Sequence, residues 1–266
     1  MTNCSLIIAT YNWPDALNLC LESISIQTLS PMEIIIADDG STINTKHLIQ
    51  SWQKKISIPI KHIWHEDEGF QLAKIRNKAI AAADYSYIIQ IDGDLILHKD
   101  FIKDHIELRK ADCFVTGSRV LLSKITSENL IKNTSIDIKA HSINNKNLLN
   151  GVRIKLLRKL FKSTYKQSGK NKYYVKGCNM AFWKQSLESV NGYNEDFTGW
   201  GREDSELAIR LINSNVKKQF LKMGGICYHI FHKEAERKNE TFNTKMMNKA
   251  IVEKRVWAEN GLSKCV

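Results

Sequence analysis

Proline is scarce: three occur in 266 residues, and no stretch is rich in proline, glycine and serine. Nothing therefore marks a flexible linker between separately folding halves. No repeat at solenoid spacings and no low-complexity tract is present, which excludes repeat architectures. No window of about 18 apolar residues exists, so no helix is expected to span a bilayer. Met1-Thr2-Asn3-Cys4-Ser5 offers no basic region, and the apolar run after it is too short for a secretory signal, so export is not expected. The six cysteines, Cys4, Cys20, Cys113, Cys178, Cys227 and Cys265, show neither CxxC spacing nor the density of a disulfide framework. Reduced thiols in a cytoplasmic protein are the expectation.

Acidic residues are missing altogether from 138–187, where Lys139, Lys146, Arg153, Lys155, Arg158, Lys159, Lys162, Lys166, Lys170, Lys172, Lys176 and Lys184 carry about +12 of charge. The whole chain is +11, so the remainder is near neutral. Within this stretch Ile154, Leu157, Leu160, Phe161 and Tyr165 recur at helical spacing among basic residues. A helix over Gly151 to Tyr165 would lie on an anionic membrane surface, or pack its apolar face on the core as an ordinary surface helix; both readings stay open. Nucleic acid is not an expected partner, because no binding motif is present and most aromatics lie elsewhere.

The first half alternates. Cys4 to Ala9, Glu33 to Ala37, Ile58 to Trp64, Tyr85 to Ile91 and Cys113 to Gly117 read as strands, and Pro14 to Ile26, Thr45 to Lys54 and Gly69 to Ala83 as amphipathic helices. This βαβ pattern predicts an open α/β sheet, mostly parallel, which binds ligands beyond the carboxyl ends of its strands. Polar residues stand at those exits: Thr10-Tyr11-Asn12, Asp38-Asp39-Gly40-Ser41, His65-Glu66-Asp67-Glu68 and Asp92-Gly93-Asp94. Two carboxylates flanking a glycine after the buried run Ile88 to Ile91 suit a hard cation, Mg²⁺ or Mn²⁺, although Asp-x-Asp alone is also common in turns.

The second half holds Gly199-Trp200-Gly201-Arg202-Glu203-Asp204-Ser205-Glu206, a loop entering a helix. Acids at a helix start complement its dipole, but that does not explain the glycines around Trp200, which let a backbone approach a ligand while the indole stacks on a sugar. His229 and His232 follow an apolar run. In a strand they would face opposite sides, so joint ligation needs a turn between them.

Ser5 to Asn12, Ile36 to Thr42, Ala73 to Asn77 and Asp92-Gly93-Asp94 together resemble the family 2 inverting glycosyltransferases of GT-A fold. Val190 to Asp204 is similar to the segment shared by β-1,4-galactosyltransferases and chondroitin-polymerase-type GalNAc transferases. The resemblance covers roughly 1–118 and 174–240. It implies one GT-A domain over 1–240, with a Rossmann-like nucleotide-binding half at about 1–118, a basic insertion at about 119–173 and an acceptor-binding half at about 174–240; 241–266 would be a helical extension. Thr10, Tyr11, Asn12 and Asp39 would hold the nucleotide, Asp39 accepting from a uracil imide. Arg76 would lie near the diphosphate, and Asp92 would touch ribose or metal-bound water. Asp94 and His232 would ligate Mn²⁺ or Mg²⁺, with His229 a further ligand. Asp204 would be the catalytic base, Glu203 an acceptor-orienting carboxylate and Trp200 the aromatic at the acceptor sugar. The implied donor is a UDP-sugar, and the implied acceptor a glycan or lipid-linked glycan of the bacterial surface, assembled on the inner face of the cytoplasmic membrane. A nucleotidyltransferase would want a Gly-rich basic loop near the first strand, which Thr10 to Pro14 is not. A sugar-nucleotide-binding protein without transfer could keep the fold while losing Asp94, Asp204 and His232.

Overall fold

Runs of β-branched residues alternating with amphipathic helices lay down β1 (Cys4–Thr10), α1 (Pro14–Ser25), β2 (Glu33–Asp38), α2 (Ile43–Lys55), β3 (Ile60–Trp64), α3 (Leu72–Ala81) and β4 (Tyr87–Asp92). The computed structural model describes residues 3–138, 149–233 and 236–265. Lys139 and Lys146 of the acid-free stretch, and Glu234 and Ala235 after the histidines, lie outside the described residues. The chain continues through β5 (Leu95–Leu97), α4 (Phe101–Leu108), β6 (Cys113–Gly117), β7 (Val120–Leu121), α5 (Lys124–Lys132) and α6 (Lys155–Phe161). It ends through β8 (Asn179–Trp183), α7 (Lys184–Glu188), α8 (Glu203–Asn213), β9 (Lys217–Leu221), β10 (Cys227–His229) and α9 (Glu240–Val252).

Seven strands form one sheet in the order β3-β2-β1-β4-β8-β6-β9. The pairs among β1 to β4 are parallel, β8 runs antiparallel to both β4 and β6, and β9 is parallel to β6. All seven residues of β1 are buried, as a central strand covered on both faces requires. Leu6 and Ile8 pack with Leu17 and Leu21 of α1 on one face, while Ile7 packs with Ala73 and Ile75 of α3 on the other. Each such aliphatic side chain contributes about 1.5–3 kcal/mol when fully buried. The mostly parallel sheet with helices on both faces is the expected α/β class.

A second sheet, β5-β10-β7, stands beside the first. Its strands of two or three residues are too short for periodicity to reveal. They set the register His229↔Leu95, and the Ile230 N–H donates to the Asp94 carbonyl at 3.0 Å, so Asp94 is delivered beside the histidines.

The basic segment differs from its sequence pattern. The helix runs only over Lys155–Phe161, not from Gly151 to Tyr165. Arg158 is buried and pairs with Asp104 and Glu107 of α4, and Arg153 reaches Asp104 at 2.8 Å and Asp100 at 3.2 Å. Those ion pairs staple α6 to the core. Tyr165 packs edge-on against Phe220, with ring centroids 4.8 Å apart, whereas Ile154, Leu156 and Leu160 remain exposed beside Lys155 and Lys159. The chain after Val252 is not a continued helix; Ala258 and Leu262 are buried, and the Ala258 carbonyl accepts from Asn191 Nδ2 at 2.6 Å. Among the described residues no helix is long and apolar enough to cross a membrane.

Candidate active site

The exits of β1, β2 and β4 are tied by backbone hydrogen bonds: the Gly93 N–H donates to the Ala9 carbonyl at 2.7 Å and the Asp39 N–H to the Thr10 carbonyl at 3.0 Å. A Cβ at position 93 would press on the Ala9 carbonyl oxygen at 3.1 Å, so the residue between the two aspartates has to be small. Above these exits lies a cleft of about 710 Å³, lined among others by Thr10, Tyr11, Asp39, Arg76, Asp92, Asp94, Trp200, Glu203, Asp204, His229 and His232. Asn12 does not line it; the Asn12 Oδ1 accepts from the Thr42 N–H at 2.8 Å and braces the β2 exit against the β1 exit.

Asp39 accepts from the Gln71 N–H at 3.0 Å and lies 2.8 Å from His65 Nε2. Burial raises its carboxyl above the usual range against the opposing effect of these two contacts. α3 starts at Leu72 and not at the expected Gly69, because the Gln71 backbone stands outside helical geometry at φ -123, ψ 44. Tyr11, half exposed, donates from its hydroxyl to Asp67 at 2.9 Å.

Arg76 is 1% exposed and is committed to carboxylates: Asp204 at 2.8 Å, Asp92 at 3.0 Å and Glu203 at 3.4 Å. It joins the β4 exit to the start of α8, and turning it toward a diphosphate would take its charge away from the half-buried Asp92 and Asp204. Three acids around one guanidinium cannot all ionise freely. Burial, added to by the Asp204 charge, pushes Glu203 up to about 8, and burial pushes Asp92 up to about 6 against the pull of Arg76. Asp204 is held through one oxygen: Oδ1 accepts from Arg76 and, at 3.2 Å, from the Tyr193 hydroxyl, which in turn accepts from Gln90. Among the described residues nothing donates to Asp204 Oδ2. Gly177 lies against that oxygen, where an added Cβ would come within 1.8 Å of it.

Asp94 Oδ2 lies 3.3 Å from His229 Nε2 and 3.1 Å from His232 Nε2, and one ligand atom from each of the three residues fits within 4.8 Å of the others. Strand β10 ends at His229, and the irregular chain beyond it places the His232 ring 5.0 Å from that of His229, so the alternation of a strand does not apply. Asp94 Oδ1 is buried, and among the described residues it has no hydrogen-bond partner. Burial works against its ionisation, yet the His232 contact and the neighbouring histidine charge hold its carboxyl below the usual range; burial pushes His229 down to about 4. The contact with Asp94 raises His232, and one carboxylate with two imidazoles, deprotonated together, is the donor set of a divalent transition-metal site.

Trp200 lines the cleft from the loop before α8, with the Arg237 guanidinium 4.3 Å from the centroid of its ring. Arg119 and Lys176 also belong to the site and carry no motif, and Tyr193, inside the Val190 to Asp204 segment, joins it through Asp204; the fold reveals these three contacts. Burial lowers the Lys176 ammonium, while Asp92 and Asp94 act to raise Arg119 against burial.

The family described as Glycosyl transferase family 2 matches residues 5–190, and the one described as the N-terminal domain of galactosyltransferase matches 158–233. The chain belongs to the family 2 glycosyltransferases. It is 28% identical over 265 residues to the chondroitin synthase of Escherichia coli, covering 89% of this chain but 36% of that protein, so it spans about a third of that relative's length. Among solved structures it is similar to Staphylococcus aureus TarS 1–349 in complex with UDP, with a TM-score of 0.62 and 15% identity over 99% of this chain and 68% of that one. It is also similar to the mannosyltransferase PcManGT from Pyrobaculum calidifontis in complex with GDP-Man and Mn²⁺, with a TM-score of 0.60 and 17% identity over 94% of this chain and 61% of that one. At those identities the likeness is one of fold, and the fold is GT-A.

Proposed function

We propose that the chain is a metal-dependent, inverting glycosyltransferase that moves a hexose or N-acetylhexosamine from a UDP-sugar to a hydroxyl of a glycan or lipid-linked glycan. Its place would be the assembly of a bacterial surface polysaccharide, capsule or lipopolysaccharide. The observation that carries this reading is one cleft holding, at separate points, a carboxylate with a free oxygen, Asp204, and the cluster Asp94, His229 and His232. The UDP bound to TarS 1–349, the GDP-Man and Mn²⁺ bound to the Pyrobaculum enzyme and the relationship to a chondroitin synthase support it.

In this reading Thr10, Tyr11 and Asp39 receive the nucleotide, the base stacking on the exposed Tyr11 ring and its imide donating to Asp39. Arg119 is the cleft cation placed to meet the diphosphate, since Arg76 is occupied in orienting Asp204. Asp94, His229 and His232 would hold Mn²⁺ or Mg²⁺, which when bound supplies positive charge to the departing diphosphate. Asp204 Oδ2 takes the proton from the acceptor hydroxyl, whose oxygen attacks the anomeric carbon opposite the leaving group and inverts it. Glu203, protonated through neutral pH, donates a hydrogen bond to the acceptor, and Trp200 stacks on its sugar ring. Calorimetric titration tests the nucleotide assignment: UDP binds in the presence of Mn²⁺, and Asp39→Ala weakens it. Equal affinity for UDP and GDP would remove uracil recognition from the account.

The exposed Ile154, Leu156 and Leu160, interleaved with Lys155 and Lys159, would rest on the anionic face of a membrane. Each basic side chain there contributes about 1 kcal/mol, screened within about 8 Å at physiological ionic strength. Arg158 takes no part, because it is buried against Asp104. Wild-type protein sediments with phosphatidylserine vesicles at low salt, and Lys155→Glu with Lys159→Glu releases it without changing turnover on a soluble acceptor. Failure of the wild type to sediment leaves α6 an ordinary surface helix.

A further inference from the structure

Beside the cleft residue Lys176, three lysines, Lys166, Lys176 and Lys222, stand over the rings of Tyr165, Tyr174 and Phe220, with Lys218 close by in β9. Lys166 Nζ stands 3.5 Å from the centroid of Tyr174, 5.5 Å from Tyr165 and 5.7 Å from Phe220. Lys176 Nζ lies 5.6 Å from the same Tyr174 ring, and Lys222 Nζ 5.6 Å from Tyr165. Lys218, buried in β9, is satisfied by backbone carbonyls, those of Lys172 at 2.7 Å and Asn171 at 2.8 Å. The other three have no such cage. Lys222 donates to Asn150 Oδ1 at 2.5 Å, and among the described residues none of the four forms an ion pair with a carboxylate.

Gathering ammonium groups with no ion-paired carboxylate is unfavourable, and partial burial weakens the solvent screening that would make it tolerable; the Asp204 charge acts on Lys176 alone of the three. Burial, with the charges of Lys176 and Lys222, lowers Lys166; burial, with Arg119, lowers Lys176; burial lowers Lys222. Aromatic faces hold Lys166 in place but leave its charge uncompensated. Segment 138–187, which carries Lys166 and Lys176, contains no acid at all, so it supplies no internal partner. An anion brought from outside would relieve the repulsion. The position of the cluster says which one: Lys176 lines the cleft next to Gly177, the residue against Asp204 Oδ2, so the lysines lead away from the oxygen read above as the acceptor's base.

We propose that the acceptor glycan is anionic, and that Lys166, Lys176 and Lys222 hold a carboxylate or phosphate group carried by the saccharide units next to the reacting hydroxyl. This rests on the cleft being the glycosyl-transfer site. The lysines thereby select the acceptor, while the donor is read elsewhere, at the exits of β1 and β2.

Calorimetric titration with UDP and Mn²⁺ already bound tests it with three probes: a galacturonic acid tetramer, inorganic phosphate and a neutral glucose tetramer. Wild-type protein is expected to bind an anionic probe at low salt, and Lys166→Gln with Lys222→Gln is expected to weaken that binding at least tenfold with UDP affinity unchanged. Binding of the galacturonate alone assigns the site to carboxylates; binding of phosphate assigns it to phosphorylated glycans. A second measurement needs no variant: the anionic probe should slow acetylation of Lys166 and Lys222 by acetic anhydride, read by mass spectrometry, while the neutral tetramer should not. Equal binding by variant and wild type, or no anion binding and no protection in the wild type, overturns the proposal. Absence of UDP binding by the wild type would instead overturn the reading of the cleft.

Discussion

Asp204→Asn lowers turnover by roughly 10² to 10⁴, the loss expected when a general base is removed, while donor affinity stays close to that of the wild type. The prediction follows from how the carboxylate is held. Oδ1 is fixed by Arg76 and Tyr193, and Oδ2 is free against Gly177, so the amide keeps the shape of the side chain but cannot accept a proton. Its neighbour is no substitute: a carboxyl pushed up to about 8 holds its proton at neutral pH, so Glu203 is in the wrong state to act as base. Because the lost interaction belongs to the transition state, kcat and kcat/KM should fall together. Steady-state kinetics on Asp204→Asn with near-normal kcat would move the base elsewhere.

The second large effect concerns the cation. Asp94→Ala removes the carboxylate of the cluster found among the described residues, and Mn²⁺ affinity should fall at least ten- to a hundredfold, with UDP affinity falling alongside because a bound ion would supply positive charge to the diphosphate. His229 and His232 both face Asp94 Oδ2, so each alanine variant should lower Mn²⁺ affinity measured by calorimetry. Loss in the His232 variant alone would confine coordination to one histidine. Full activity of the wild type in EDTA would contradict the metal assignment altogether.

Much of β1 to β4 and the helices between them was legible because these strands and helices are long and strongly patterned, and because a parallel sheet places polar residues at its exits. The expected strand Cys113 to Gly117 matches β6, and β1 and β2 run one residue past their expected ends. The small sheet was not legible: strands of two or three residues have no period, yet they decide that Asp94 meets both histidines. Arg76 was legible as a site residue but not as the hub of three acids, since its partners lie 16, 127 and 128 positions away. The basic segment misled in a different way. Charge on a helical pattern reads as solvated surface, and only the packing of α6 on α4 turns Arg158 inward to Asp104 and Glu107. Lys166, Lys176 and Lys222 looked like members of a long basic run or scattered charge until the fold gathered them round Tyr165, Tyr174 and Phe220.

The central claim is that this cleft transfers a sugar from a UDP donor with the help of a divalent ion and Asp204. It is tested most directly by UDP release from UDP-Gal, UDP-GalNAc, UDP-GlcNAc and UDP-Glc, with and without an anionic oligosaccharide acceptor, in Mn²⁺ and in EDTA. The account predicts Mn²⁺-dependent release from at least one donor, accelerated by the acceptor and abolished in EDTA; no release from any donor in Mn²⁺, or release unaffected by EDTA, would contradict it.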